Sequence, residues 1–220
     1  MTSDNMLIDP WPLLRNSALG LNDCALRVVV HGRSNGVVPE CLCSLMTDLQ
    51  GQRLAPVQLQ ALTSNHRPPL LDGPLLLIPL LLWPGAHTRH DIPAIRQHLS
   101  SAGVRVTTIP FLGAWPLWWK LVASTLQNQL EHSDVLVHHP LHSGVADRFL
   151  VMLAESLNFP LLPFDRWSEH QALHPHARPL PLALAPNRMT EALGRTEGLP
   201  SLLEHSLISQ GLLNLLVALP

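Results

Sequence analysis

Short apolar segments alternate with amphipathic segments through most of this chain. Segments 26–30 (LRVVV) and 75–79 (LLLIP) are continuous apolar runs bounded by turn residues, as is typical of buried strands. The other predicted strands are 56–62, 104–109 and one that begins at 134–137. The predicted helices are 39–50, a helix that starts at Asp91 and ends near Gly103, and 117–130. This alternation predicts a mostly parallel α/β sheet.

The second half of the chain resembles the first. VVVHGRSNGVV (28–38) is similar to VLVHHPLHSGV (135–145), which aligns His31 with His138. LLIPLLLWPGAH is similar to RPLPLALAPNRM, which aligns Pro79 with Pro181 and places Met189 where the first half has His87. We interpret this as a duplicated half-domain, with chance similarity between two βαβ units as the alternative.

The predicted organisation follows from that duplication. We expect an N-terminal arm over 1–20, a first half over 21–131 that carries the site, and a degenerate second half over 132–220. The tail after Gly198 is amphipathic to fully apolar. It is expected to pack on a sheet, although an interface role is the alternative.

Composition excludes several functional classes. With 220 residues, 46% of them hydrophobic, the chain can form one compact domain or two small halves with a shared core. The net charge of −2 and the lack of a Lys/Arg run argue against nucleic acid as a partner. The apolar run 75–83 is much shorter than the ~20 residues of a membrane span. No signal peptide is apparent, so a cytoplasmic protein with reduced, structural Cys24, Cys41 and Cys43 is expected.

Two histidines follow predicted strands, at the sheet edge where α/β proteins bind ligands. His31 follows the first strand and precedes Gly32, Ser34 and Gly36, which are compatible with an anion-binding turn. The alternative for His31 is a turn histidine bonded to the backbone. His87 follows the third strand after a Pro-Gly turn, and a neutral imidazole there can bind a metal or carry a proton.

Asp91 lies four residues after His87 and has two interpretations. It can cap the helix that begins there, which is the preferred interpretation, or it can orient an imidazole. His90 has no assigned role.

The remaining candidate ligands and aromatic residues are weaker. The HHPLH segment contains His138, His139 and His142, but its proline makes ligation by all three histidines doubtful. A second group of histidines is expected at the surface: His170, His174 and His176. Three tryptophans are candidates either for an apolar ligand cavity or for core packing: Trp115, Trp118 and Trp119.

These residues resemble a known family. LLLIPLLLWPGAHTRHDIP (75–93) is similar to the signature loop of the type II sirohydrochlorin chelatases, and VVVHGRSNG is similar to their opening strand and histidine turn. The resemblance covers 26–110 well and 134–190 weakly. Members of this family insert cobalt or iron into sirohydrochlorin, on the routes to cobalamin and sirohaem.

The resemblance implies two similar flavodoxin-like α/β halves with parallel sheets and a tetrapyrrole cleft between them. It implies that His31 and His87 bind the metal and accept protons, and that Arg33, Ser34 and Arg89 contact the carboxylates of the substrate. The divalent ion, Co²⁺ or Fe²⁺, is then a substrate, and no permanently bound cofactor is expected. The protein is expected to be a monomer, as a pseudo-dimer, or a homodimer.

One position departs from the family pattern. The family usually has a glutamate after the second strand, where this chain has Thr63, with His66 three residues on and Arg67 beside it. This departure supports an alternative function, a non-catalytic metal or tetrapyrrole carrier derived from a chelatase. A plain α/β domain with an unrelated small-molecule site is a third possibility.

Overall fold

The computed structural model describes residues 11, 14, 24–127, 130, 134–141, 144–194 and 199–220. Its strands are β1 Ala25–Val30, β2 Val57–Ala61, β3 Pro74–Pro79, β4 Arg105–Thr108, β5 Val135–His138, β6 Leu161–Pro163 and β7 Pro179–Pro181. Its α-helices are α1 Glu40–Gly51, α2 Ile92–Ser101, α3 Pro116–Leu126, α4 Gly144–Leu157, α5 Trp167–Leu173, α6 Arg188–Gly194 and α7 Ser206–Val217. Short helical turns are Ser34–Gly36, His87–Asp91, Leu112–Ala114, Phe164–Arg166 and Leu202–Glu204.

The strands form two parallel sheets with matching topology. The order is β2-β1-β3-β4 in the first sheet and β6-β5-β7 in the second. In each sheet, the first strand of the half lies between the second and third strands of that half. The predicted fold class, two similar flavodoxin-like α/β halves, is therefore confirmed. The domain limits at 21–131 and 132–220 remain predictions.

The pairing register corrects the alignment of His31 with His138 by one residue. Val29 pairs with Pro79 and Val137 pairs with Pro181, and the carbonyl oxygens of Val29 and Val137 accept equivalent hydrogen bonds from the backbone N–H groups of Leu80 and Leu182. Val29 is therefore equivalent to Val137, which makes His139, rather than His138, the equivalent of His31. The predicted equivalences of Pro79 with Pro181 and of His87 with Met189 agree with this register.

Both faces of the first sheet are covered, which explains why its strands are apolar runs rather than alternating sequences. One face, including Leu26 and Val28, belongs to a core that also contains residues of α1, α3 and α7. The other face packs on α2 through Ile92 and Leu99. Trp115, Trp118 and Trp119 belong to the first of these cores, and Trp118 is fully buried. Of the two interpretations of these tryptophans, core packing is therefore confirmed.

The C-terminal helix α7 packs on α1 and α3 of the first half, although the chain order assigns it to the second. Its buried residues include Ile208 and Leu212, so the tail packs on the core as predicted, but through two helices rather than directly on a sheet. Arg53 donates hydrogen bonds to the carbonyl oxygens of Leu219 and Pro220, both at 2.7 Å. No helix in the described part of the chain has the length and apolarity needed to cross a membrane.

Candidate metal and proton-transfer site

His31 is the first residue after β1, at the carboxyl edge of the first sheet. Its ring is exposed, and its Nδ1 lies 2.7 Å from the carbonyl oxygen of Gly32. Because a carbonyl oxygen only accepts, Nδ1 carries the proton and the lone pair of the neutral ring is on Nε2. The two interpretations of His31, a turn histidine bonded to the backbone and a candidate metal ligand, are therefore compatible.

His87 belongs to a π-helical turn, His87–Asp91, that leads directly into α2. Its Nδ1 lies 2.5 Å from Oδ2 of Asp91, and both side chains are about half exposed, at 45% and 49%. The backbone of Asp91 is already helical and its side chain makes no capping hydrogen bond. The prediction that Asp91 caps the helix is therefore wrong, because the helical turn begins four residues earlier and the carboxylate is bonded to His87 instead.

The two imidazole rings lie side by side because β1 and β3 are neighbouring parallel strands whose carboxyl ends meet at one edge. Their centroids are 4.8 Å apart, with an angle of 74° between the ring planes. Two imidazoles that bind one ion through metal–nitrogen bonds of about 2.1 Å have centroids roughly 4.5–5.2 Å apart. The pair is thus spaced for a shared ion, with Nδ1 of each ring already engaged and Nε2 left to bind it.

Thr63 holds the His31 turn in place. Its hydroxyl donates to the carbonyl oxygen of Arg33 at 2.6 Å, and its backbone N–H donates to the carbonyl oxygen of His31 at 3.2 Å. Gly32 has a positive φ of 78°, and a Cβ there would lie 2.6 Å from the Thr63 hydroxyl and 2.9 Å from the Ala61 Cβ. The residue that departs from the family pattern therefore supports the turn that carries His31.

The His31 turn also contacts the second half of the chain. Arg33 forms an ion pair with Glu191 at 2.8 Å, and its Nε donates to the carbonyl oxygen of Pro186 at 3.3 Å. Arg188, the first residue of α6, donates to the Ser34 hydroxyl at 3.2 Å. The two predicted substrate-binding residues, Arg33 and Ser34, are thus engaged across the boundary between the halves, in contacts that sequence reasoning missed.

The other predicted site residues lie around this pair with fewer contacts. Arg89 is exposed and its Nε lies 3.5 Å from the carbonyl oxygen of Gly85. His66 and His90 are exposed. Arg67 lines a cavity of about 230 Å³ on the side of α2 that faces β2, together with Asp91 and His98. A cavity of about 500 Å³ lies on the side of α2 near β4 and contains neither His31 nor His87 among its lining residues.

The HHPLH segment does not form a comparable site. His138 is the last residue of β5 and is buried, with its ring 5.8 Å from that of Trp83 and its Nδ1 2.8 Å from the carbonyl oxygen of His139. Burial lowers the pKa of His138, which favours the neutral ring. His142 lies outside the described residues. Among the residues that are described, no group of three or more His, Cys, Asp or Glu side chains is placed to hold a metal.

The fold and site together define a two-lobed parallel α/β protein with a pair of imidazoles at a sheet edge beside the boundary between its lobes. Solved structures with this fold include the sirohydrochlorin chelatase SirB from Bacillus subtilis subspecies spizizenii in complex with cobalt, with a TM-score of 0.64 and 19% identity. A second is SirB from Bacillus subtilis with Fe³⁺, with a TM-score of 0.66 and 15% identity. Each alignment covers 87% of this chain and 93% of the SirB chain.

These similarities confirm, at the level of the fold, the resemblance that the sequence motifs indicated. The chain has the fold of the sirohydrochlorin chelatases. No protein-family model matches the sequence, and no curated protein matches it either.

Proposed function

We propose that this protein is a metal chelatase that inserts a divalent ion, Co²⁺ or Fe²⁺, into sirohydrochlorin or a related tetrapyrrole. The observation that carries the proposal is the His31–His87 pair, with its 4.8 Å ring separation and both Nδ1 atoms engaged. The SirB proteins of the same fold were solved with cobalt and with Fe³⁺, which supports a metal as one of the two substrates.

The reaction consumes one divalent ion and one free-base macrocycle and releases two protons from its pyrrole N–H groups. Two imidazoles hold the ion weakly, so the four macrocycle nitrogens can replace them as ligands. After the ion leaves Nε2 of His87, this nitrogen can accept one pyrrole proton, and the Asp91 carboxylate stabilises the resulting imidazolium through Nδ1. The second pyrrole proton passes to water. His31 has only a neutral carbonyl on its Nδ1, so we assign it mainly to metal binding.

The carboxylates of the substrate need cationic partners, and Arg89 is the exposed arginine nearest in sequence to His87. Arg33 can contribute only if a substrate carboxylate competes with Glu191 for its guanidinium, and Ser34 is bonded to Arg188. We therefore propose that Arg33, Ser34 and Arg188 join the two lobes around the substrate, while Arg89, bonded only through its Nε to Gly85 among the described residues, presents its terminal nitrogens to it.

The test is anaerobic mixing of the purified protein with sirohydrochlorin and Co²⁺, with the absorbance of the macrocycle followed against a protein-free control. Wild-type protein should accelerate insertion, and His87→Ala should reduce the enzymatic rate by about 10²-fold or more, the range of general-base contributions. His90→Ala is the matched control, because this exposed histidine lies in the same helical turn and should leave the rate unchanged. An equal rate with and without protein would exclude the chelatase.

A specific observation favours a second candidate, a non-catalytic carrier. The Thr63 hydroxyl cannot replace a glutamate as a base, because it donates to the Arg33 carbonyl oxygen. A carrier would shift the macrocycle spectrum on binding, or bind the ion, without any increase in insertion rate. The same mixing experiment therefore distinguishes the two functions.

A further inference from the structure

A second pair of histidine rings lies on α5, in the second half of the chain. His170 and His174 are four residues apart, and the backbone N–H of His174 donates to the carbonyl oxygen of His170 at 2.9 Å. This bond extends the helical turn through His174, so both side chains project from one face of it. Their ring centroids are 4.6 Å apart, with an angle of 37° between the planes.

This spacing also falls within the roughly 4.5–5.2 Å expected for two imidazoles on one ion. Within the described part of the chain, no hydrogen bond or ion pair engages a ring nitrogen of His170 or His174, so all four nitrogens are available. Both rings can be reached from solvent, since His170 is partly exposed and His174 is exposed.

The surroundings of His170 restrict its ring. The ring lies 5.9 Å from that of the buried Trp167, which limits its movement. The charge of Arg166, four residues before His170, is paired with Glu169 at 2.9 Å.

We propose that His170 and His174 form a second site for a divalent transition-metal ion, separate from the His31–His87 pair. Imidazole ligands favour ions of borderline softness, so the site should take Co²⁺, Ni²⁺, Cu²⁺ or Zn²⁺ rather than Mg²⁺ or Ca²⁺. The two imidazoles supply the protein ligands, and water molecules complete the coordination of the ion.

The test uses the full chain with the first pair removed. In the His31→Ala/His87→Ala double variant, calorimetric titration with Ni²⁺ should still show one saturable site. Adding His174→Ala should weaken this binding by at least about tenfold, because loss of an orienting partner alone costs 10- to 100-fold and His174 is itself a ligand. His98→Ala is the matched control, since it removes an exposed helical histidine outside the pair and should leave the affinity unchanged.

Two results would overturn the proposal: no saturable binding in the double variant, or binding that His174→Ala does not weaken. Bound Cu²⁺ gives an independent signal, because its electron paramagnetic resonance spectrum should show nitrogen couplings that disappear with His170→Ala/His174→Ala. The His170→Ala/His174→Ala variant should retain the tetrapyrrole insertion rate. The proposal of a second metal site and the proposal of chelatase activity are therefore tested independently.

Discussion

The carboxyl ends of β1 and β5 occupy equivalent places in two sheets of matching topology, yet their histidines differ in environment. His31 is exposed and lies beside a second imidazole, whereas His138 is buried beside Trp83. The position equivalent to His87 holds the buried Met189, and the neighbouring Arg188 bonds back to Ser34 in the first half. The second half thus supports the site of the first rather than repeating it.

This difference shows that a motif repeated along a chain need not repeat its chemistry. A strand-end histidine becomes a candidate ligand only when the neighbouring strand supplies a partner at the same sheet edge. His138 is the last residue of β5, one register position before the equivalent of His31, so its side chain is part of the core, where a neutral ring is favoured.

Substitution of His31 and of His138 tests the contrast between the two strand ends most directly, and it has the largest expected effect. His31→Ala should lower the insertion rate by about 10²-fold or more with little change in stability, since the ring is exposed. His138→Ala should instead lower the free energy of unfolding by about 1–3 kcal/mol, because it leaves a cavity beside Trp83. Insertion assays and chemical denaturation of both variants check this, and loss of insertion in folded His138→Ala would contradict the comparison.

The backbone of the His31 turn gives the next largest effect. A Cβ at Gly32 collides with Thr63 and Ala61, so Gly32→Ala should displace His31, and a shift of about 1 Å can cost about 10²-fold in rate. Gly73 also has a positive φ, but a Cβ at this position would meet no atom of the described residues within 4 Å. Gly73→Ala therefore introduces the strain of a positive φ without a steric collision. It should lower the free energy of unfolding while the insertion rate is retained.

The Asp91 carboxylate gives a smaller effect. Asp91→Asn keeps the shape of the side chain but weakens its hold on the His87 ring, so metal affinity should fall by about 10- to 100-fold. Titration of Co²⁺ into this variant measures the change. In the described part of the second half no carboxylate is bonded to His138, so this half offers no equivalent substitution. An unchanged Co²⁺ affinity in Asp91→Asn would contradict the role proposed for Asp91.

The smallest expected effect is on the pH dependence of stability. Burial lowers the pKa of His138, so the unfolded chain takes up this proton at a higher pH than the folded chain. The resulting stabilisation is fully present above the unfolded pKa of about 6.5, and it is lost as the pH falls from that value through the lower pKa of the folded state. The free energy of unfolding, measured by denaturation at pH 7.5 and at pH 5.5, should therefore differ less between the two pH values for His138→Ala than for wild type. Burial also lowers the pKa of His205, which accounts for part of the dependence that remains in the variant.

Much of the fold could be predicted from sequence, because apolar runs and turn residues act locally. The predicted strands 26–30, 56–62, 75–79 and 104–109 each agree with β1–β4 to within one residue at either end. The helix predicted over 117–130 is observed as Pro116–Leu126, with residues 128 and 129 outside the described part. Most of the predicted arm 1–20 is also outside it.

The candidate site was predictable in part. His31 directly follows an apolar strand and His87 follows another after a Pro-Gly turn, so both could be placed at the carboxyl edge of the sheet. The role of Asp91 was mistaken because capping is the common function of an aspartate before Ile-Pro, and a π-helical turn at His87–Asp91 has no clear signal in the sequence. The spacing of four residues between His87 and Asp91 was the available clue.

The sequence by itself determined the alternation of strands and helices, the duplication and the two strand-end histidines, since each is written in a local pattern. Only the tertiary structure decided which histidines meet, that Thr63 supports the His31 turn, and that Arg33, Ser34 and Arg188 join the halves. Those contacts depend on strand order and on the register of β1 with β3. They connect residues up to 154 positions apart, a separation at which no local pattern specifies a partner.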